Sequence, residues 1–119
     1  MTGGPVAFST NGALNGISHI PLESLLIITL TGDYKVAFSV SGVEPNQFTL
    51  FVNGTPIPGT TYGSGGGTQQ NNGQAILSLI AGDILELVNY SSVASVTLQT
   101  LAGGSQLNVN ASLIIEKIN

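Results

Sequence analysis

The sequence predicts a single all-β domain with antiparallel sheets, arranged as a sandwich or a barrel. Short runs rich in Val, Ile, Leu, Phe and Thr recur along the chain, and clusters of Gly and Asn separate them. No segment of helical length keeps a helical apolar spacing without interruption by Gly or a β-branched residue. Because no helix-sized crossover separates one candidate strand from the next, we expect neighbouring strands to run antiparallel. The length of 119 residues suits one hydrophobic core.

Eight segments have the composition of strands. They are residues 6–9, 25–30, 34–40, 48–52, 75–80, 84–88, 93–98 and 111–118. Residues 34–40 alternate between apolar and polar side chains, which predicts one face in the core and one near solvent.

The connections between these segments carry turn signals. Asn-Gly pairs at residues 11–12, 15–16, 53–54 and 72–73 predict tight turns, because Asn and Gly both accept positive φ. Residues 63–73 are low in complexity, being almost entirely Gly, Ser, Thr, Gln and Asn, and we expect them to form a mobile loop.

Charge is scarce in this chain. It has 2 Lys or Arg and 6 Asp or Glu residues, so that 7% of residues are charged, against about 25% in an average protein. Nucleic-acid binding requires clustered cations, and we therefore expect no nucleic-acid partner. The longest apolar run, residues 25–28, is too short to cross a bilayer, and we expect no membrane insertion.

Catalytic and metal-binding groups are few and dispersed. His19 is the only histidine, and the chain has no cysteine to share a metal site with it, so we expect a structural role near Pro21. Asp83 and Glu86 stand three residues apart on a candidate strand, which places them on opposite faces rather than around one bond. We therefore predict no enzymatic activity, no catalytic residues, no metal site and no cofactor. Calcium bound by loop oxygens is the alternative left open.

Two tyrosines are the candidates for a binding site. Tyr62 and Tyr90 lie beside stretches rich in Asn, Gln and Ser, and aromatic rings flanked by such groups hold sugars in many proteins. The alternative is that these rings only complete the edges of a sheet.

Two candidate strands are apolar on both faces, which predicts self-association. Residues 25–30 and residues 111–118 carry aliphatic side chains at successive positions, so each strand would expose one apolar face in a two-layer monomer. The alternative is that loops fold over these strands. The residues expected to pack in the core or between subunits are Phe8, Leu26, Ile28, Leu30, Tyr34, Phe38, Leu113, Ile114, Ile115 and Ile118.

Four segments also occur in a characteristic order: residues 32–38 (GDYKVAF), 52–59 (VNGTPIPG), 81–87 (AGDILEL) and 111–118 (ASLIIEKI). As a set they resemble the C-terminal domain of the collagen-like glycoproteins that form the hair-like nap on Bacillus spores. That domain belongs to the jelly-roll group shared by tumour necrosis factor and the globular head of the first complement component. Residues 6–9 (VAFS) resemble the first strand of those heads.

The resemblance implies a jelly roll of about ten strands that assembles as a homotrimer. It implies a structural domain that nucleates and caps a collagen-like stalk on the spore surface, the exosporium. Its partners would be two further copies of itself and the stalk N-terminal to it. Residues 1–4 are then a disordered start or a remnant of the stalk, and residues 5–119 are the domain. The alternative function is a recognition head that binds host proteins or carbohydrates through loops or grooves between subunits.

Overall fold

The computed structural model describes residues 4–66, 69–90, 92, 96–101 and 103–119. These residues contain nine strands and no helix. The strands are β1 (Ile17–Ser18), β2 (Leu26–Ile28), β3 (Gly32–Val40), β4 (Asn46–Val52), β5 (Thr55–Pro56), β6 (Tyr62–Ser64), β7 (Asn71–Leu79), β8 (Ile84–Asn89) and β9 (Ala111–Lys117).

The strands form two antiparallel sheets. One sheet has the order β1-β2-β8-β4-β5, and β6 also pairs with β4. Strands β5 and β6 pair with opposite ends of β4, so together they complete one edge. The second sheet has the order β7-β3-β9. This arrangement confirms the predicted all-β, antiparallel, two-sheet jelly roll, with nine strands in the described residues where about ten were expected.

The hydrophobic core lies between the two sheets. On β3, every second side chain from Tyr34 to Val40 is buried, as the alternation predicts, and the hydroxyl of Tyr34 donates a hydrogen bond to the carbonyl oxygen of Leu30 at 2.5 Å. Burial of one such large apolar side chain contributes roughly 1.5–3 kcal/mol. The core residues supplied by the other sheet are Ile17, Leu26, Ile28, Phe48, Leu50, Leu85 and Leu87.

The Asn-Gly pairs behave differently from one another. Asn53 and Gly54 both have positive φ, of 53° and 79°, and join β4 to β5 in the two-residue hairpin that the sequence predicts. The prediction of a turn at Asn72-Gly73 is wrong, because this pair lies inside β7. A Cβ atom at Gly73 would come within 2.4 Å of the Phe38 ring and 2.5 Å of the Tyr62 ring. Glycine at this position therefore makes room for two packed rings.

The N-terminal segment, residues 4–16, is hydrogen-bonded to β8 near its start but does not form the strand predicted at residues 6–9. Pro5 makes a single bridge to Val88, and the Val6 amide donates to the carbonyl of Leu87 at 2.7 Å. Between Val6 and β1, no residue belongs to a strand of the described part of the chain. The carbonyl of Gly4 accepts a hydrogen bond from the amide of Asn89 at 2.9 Å. Residues 1–3 lie outside the described residues.

Two further boundaries differ from expectation. Of the expected mobile loop at residues 63–73, residues 63–64 belong to β6 and residues 71–73 belong to β7, while residues 67–68 lie outside the described residues. A strand was also expected at residues 93–98, of which residues 93–95 lie outside the described residues. Leu98 forms only one bridge, to Gly42, although Val96 is fully buried.

Candidate assembly face

The outer face of the β7-β3-β9 sheet carries aliphatic side chains that no described part of the chain covers. Ile76 on β7 is 68% exposed and Ile114 on β9 is 66% exposed. Ile76 pairs with Lys35 of β3, and Ile114 pairs with Ala37, so all four side chains lie on the same side of the sheet. We call this outward side of β7, β3 and β9 the assembly face.

The assembly face carries exposed isoleucines together with three of the eight charged side chains of the chain, Asp33, Lys35 and Glu116. Lys35 stands in register between Ile76 on one side and Glu116 on the other. Asp33 lies two residues before Lys35 on the same side of β3 and accepts a hydrogen bond from the hydroxyl of Ser78, whereas Ala37 and Gln74, which are paired with each other, are uncharged. At one end of the face the exposed aliphatic surface continues to Ile80 and Ile118. Burial of the isoleucines on this face is favourable, whereas burial of the three charged groups is favourable only where they are paired.

The structure divides the predicted packing residues into three groups. Leu26, Ile28, Tyr34 and Phe38 are buried in the core, and Phe8, Leu113 and Ile115 are partly buried against it. Leu30, Ile114 and Ile118 are exposed. The C-terminal strand is thus apolar on both faces, with one face in the core and one open. Residues 25–30 show a weaker form of the same pattern, because Leu25 and Ile27 are each 40% exposed.

Sequence reasoning missed the contribution of β7 to this face. The segment of residues 75–80 has Ala75, Leu77 and Leu79 directed toward the core side and Ile76 and Ile80 directed away from it. The signal was present in the sequence, since these aliphatic residues occur on both faces of one candidate strand, as they do at residues 111–118.

His19 is held by both of its ring nitrogens. Nδ1 lies 2.5 Å from the side-chain oxygen of Asn11, and Nε2 lies 2.6 Å from the carbonyl oxygen of Glu23. The ring is buried and contacts the edge of Phe8, with ring centroids 6.3 Å apart. These contacts hold the N-terminal segment against the connection between β1 and β2. The role of His19 is therefore structural.

The described residues contain no group of three or more His, Cys, Asp or Glu side chains that could hold a metal ion. Asp83 and Glu86 have separate partners. The Asp83 carboxylate accepts hydrogen bonds from Asn53 and from the amide of Ile80, whereas Glu86 accepts one from the hydroxyl of Ser24. The two carboxylates therefore serve different local structures.

Tyr62 and Tyr90 lie on opposite sides of their sheet. The Tyr62 ring packs edge-on against Phe38 of the other sheet, and its hydroxyl donates to the carbonyl of Gln74 at 2.9 Å. Tyr90 packs against Phe51 on the outer side, with centroids 5.2 Å apart. The structure does not bring the two rings together, so they cannot form one aromatic platform for a sugar.

A groove of about 720 Å³ runs between the N-terminal segment and β9. Residues 6–15 form one wall and residues 107–115 form the other, with Ile17 and Leu26 between them. Because β9 is an edge strand, the groove follows the free edge of the three-stranded sheet. Its lining combines aliphatic side chains with polar ones, among them Asn11, Asn15, Asn108 and Asn110.

The two antiparallel sheets define the fold class of this domain, which is a jelly roll of the tumour-necrosis-factor-like type. The chain is similar to the crystal structure of rabbit GITRL, with a TM-score of 0.57 and 21% sequence identity over 87% of this chain and 77% of that chain. At this level of identity the likeness shows the fold alone.

The family is shown by sequence. The model of the BclA C-terminal domain matches residues 1–119, and the chain therefore belongs to the BclA C-terminal domain family. This confirms the resemblance to the terminal domain of collagen-like exosporium proteins. No curated protein matches the chain in sequence. Among the residues that the structure describes, no helix is both long and apolar enough to span a membrane.

Proposed function

We propose that this domain forms a homotrimer that nucleates and caps a collagen-like stalk at the spore surface, and that it has no enzymatic activity. The observation that carries the proposal is the assembly face, where Ile76 and Ile114 flank β3 without cover. Packing this face against a neighbouring copy would remove both side chains from water, at roughly 1.5–3 kcal/mol for each one fully buried. An obligate interface of this kind buries more than about 2,000 Å² in total.

The position of the N-terminal segment supports a role in stalk nucleation. Two backbone hydrogen bonds, at Gly4 and Val6, fix the point at which the chain enters the domain. In a trimer, three such entry points would be held at fixed distances from one another. Three preceding chains would thus start in a common register, which lowers the entropy lost when a triple helix nucleates.

The scarcity of charge supports a role in a durable cap. Lys35 and Lys117 are the only cationic side chains, so proteases that cut after Lys or Arg have two sites in the chain. Lys35 lies within β3, in the middle of the three-stranded sheet, and is protected from cleavage while the sheet is folded.

The nucleation role can be tested by placing Gly-Pro-Pro repeats before the domain and following the collagen circular-dichroism signal during refolding. We expect the repeats to refold into a triple helix faster with the domain than without it. The matched control carries Ile114→Lys, which should slow refolding to the rate of the repeats alone. Equal refolding rates with and without the domain would contradict nucleation.

Recognition of a partner is a second candidate function, and the groove beside β9 favours it. The aliphatic side chains of the groove, beside a free strand edge, favour a protein segment as the ligand. Binding to host surface proteins should then be weakened by Leu107→Asp, which charges the groove wall at a position outside the assembly face, although the groove also reaches Ile114 of that face. Binding that is unchanged in this variant, or selective binding on a glycan array, would contradict the assignment to the groove.

A further inference from the structure

The chain contains four Asn-Gly pairs, and this dipeptide has a characteristic reactivity. The backbone nitrogen of the glycine can attack the Asn side-chain carbonyl carbon, because glycine has no side chain to hinder the approach. The reaction needs a side-chain amide that is free to rotate and a glycine nitrogen that is free to approach it. Hydrogen bonds to either group, or a fixed extended backbone, hold the reactants apart.

In three of the four pairs, hydrogen bonds or an extended strand keep the reacting groups apart. The side chain of Asn11 donates to the carbonyl of His19 at 2.7 Å and also contacts its ring. The side chain of Asn53 donates to Asp83 and accepts from the amide of Ile84, each at 2.9 Å. Asn72 lies within the nine-residue strand β7, followed by the buried Gly73.

Asn15 differs from the other three. Its side chain is exposed and makes no hydrogen bond within the described residues. The amide of Gly16 also donates no hydrogen bond there, although its carbonyl accepts one from Thr29 at 2.8 Å. Gly16 has a positive φ of 77° and lies in a bend before β1. Both reacting groups of this pair are therefore free.

We propose that Asn15 is a site of spontaneous deamidation, and that the fold protects the other three Asn-Gly pairs. The Gly16 nitrogen forms a bond to the Asn15 side-chain carbon, loses its proton and expels ammonia, which gives a cyclic succinimide. Water then opens the ring at either carbonyl and leaves aspartate or isoaspartate at position 15. No oxidant or enzyme is required, and the proposal is independent of the trimer.

The product has two physical consequences. It adds one negative charge to a chain whose formal net charge is −4, at a position on the wall of the groove. The isoaspartate form also inserts one methylene group into the backbone two residues before Ile17, which is buried in β1. We expect β1 to pair less firmly with β2 after that change.

The test is incubation of the folded protein in mildly alkaline buffer, followed by proteolysis and mass spectrometry with fragmentation. Deamidation is detected as a mass gain of about 1 Da at the modified residue. We expect Asn15 to deamidate first. The other three pairs should react at about one tenth of its rate or more slowly, because they react only after local opening of the fold. In urea, where the fold is lost, the four pairs should react at similar rates.

Two variants provide matched controls. Asn15→Gln should abolish the early product, and His19→Ala should accelerate reaction at Asn11 without changing the rate at Asn15. If His19→Ala folds poorly, the deamidation rates of the wild-type protein, compared between its folded state and its urea-unfolded state, still test the proposal. The proposal is overturned if Asn11, Asn53 or Asn72 reacts as fast as Asn15 in the folded protein, or if folding slows Asn15 as much as it slows the others.

Discussion

Asn53 and Asp83 connect two turns at one end of the domain through a hydrogen bond of 2.9 Å between the Asn53 amide nitrogen and an Asp83 carboxylate oxygen. Asn53 belongs to the β4–β5 turn, and Asp83 lies between β7 and β8. The other Asp83 oxygen accepts the amide of Ile80, and the Asn53 oxygen accepts the amide of Ile84, both at 2.9 Å. The two turns therefore fix each other and the start of β8.

This arrangement predicts a pH dependence of stability. The amide of Ile80, and next the Asn53 side chain, hold the pKa of Asp83 below its ordinary value of 3.8. Since the pKa is lower in the folded state, the stabilisation is present above 3.8 and is lost as the pH falls through the folded pKa.

Asp83→Asn should therefore reduce the free energy of unfolding at neutral pH and have little effect in strong acid. We expect a reduction of less than about 1 kcal/mol, because solvent screens this turn. Urea unfolding of both proteins across the acid range measures the difference. A difference that stays constant from neutral pH to strong acid would contradict the role of the ionised carboxylate.

Gly73 should be intolerant of even one added carbon atom. A Cβ atom would lie 2.4 Å from the Phe38 ring and 2.5 Å from the Tyr62 ring, so Gly73→Ala should lower the free energy of unfolding by about 1–3 kcal/mol. Gly63 on β6 is the matched control, because the nearest heavy atom to a Cβ there is 3.5 Å away. Equal denaturation midpoints for Gly73→Ala and Gly63→Ala would show that the rings can move aside.

His19 and Asn11 should be energetically coupled. Each side chain bonds to the other residue, so removing either one leaves polar groups of the partner unsatisfied. In a double-mutant cycle with His19→Ala and Asn11→Ala, we expect a coupling free energy of about 0.5–3 kcal/mol. The four free energies of unfolding measure it, and simple additivity of the two single changes would argue against the structural role of His19.

Much of the fold could be predicted because strand alternation and turn formation depend mainly on residues that are neighbours in the sequence. The alternation on β3 and the turn residues Asn53-Gly54 need no knowledge of distant contacts, and both agree with the structure. The prediction for Asn72-Gly73 was wrong because a tertiary contact, the packing of two rings over Gly73, decides that position. Residues 6–9 have strand composition, but strand formation requires a partner along the whole segment, and β8 supplies one only near Val6.

The assembly face was predictable in part. Aliphatic residues on both faces of the strand at residues 111–118 identified Ile114. The same pattern at residues 75–80 points to Ile76, and the register places that residue beside Lys35. Which of two apolar faces of a strand is buried within one chain depends on how the sheets stack, and composition alone does not determine that. For the same reason Leu26 and Ile28 are core residues, and Ile27 between them is not.

The most direct test of the proposed assembly is the solution mass of the domain by size-exclusion chromatography with light scattering. We predict a mass three times that of the 12.1 kDa protomer at micromolar concentration. Ile114→Lys should shift the mass to that of one protomer, whereas Leu107→Lys, at an 81% exposed position outside the assembly face, should leave it unchanged. A wild-type protein with the mass of a single protomer would contradict the account.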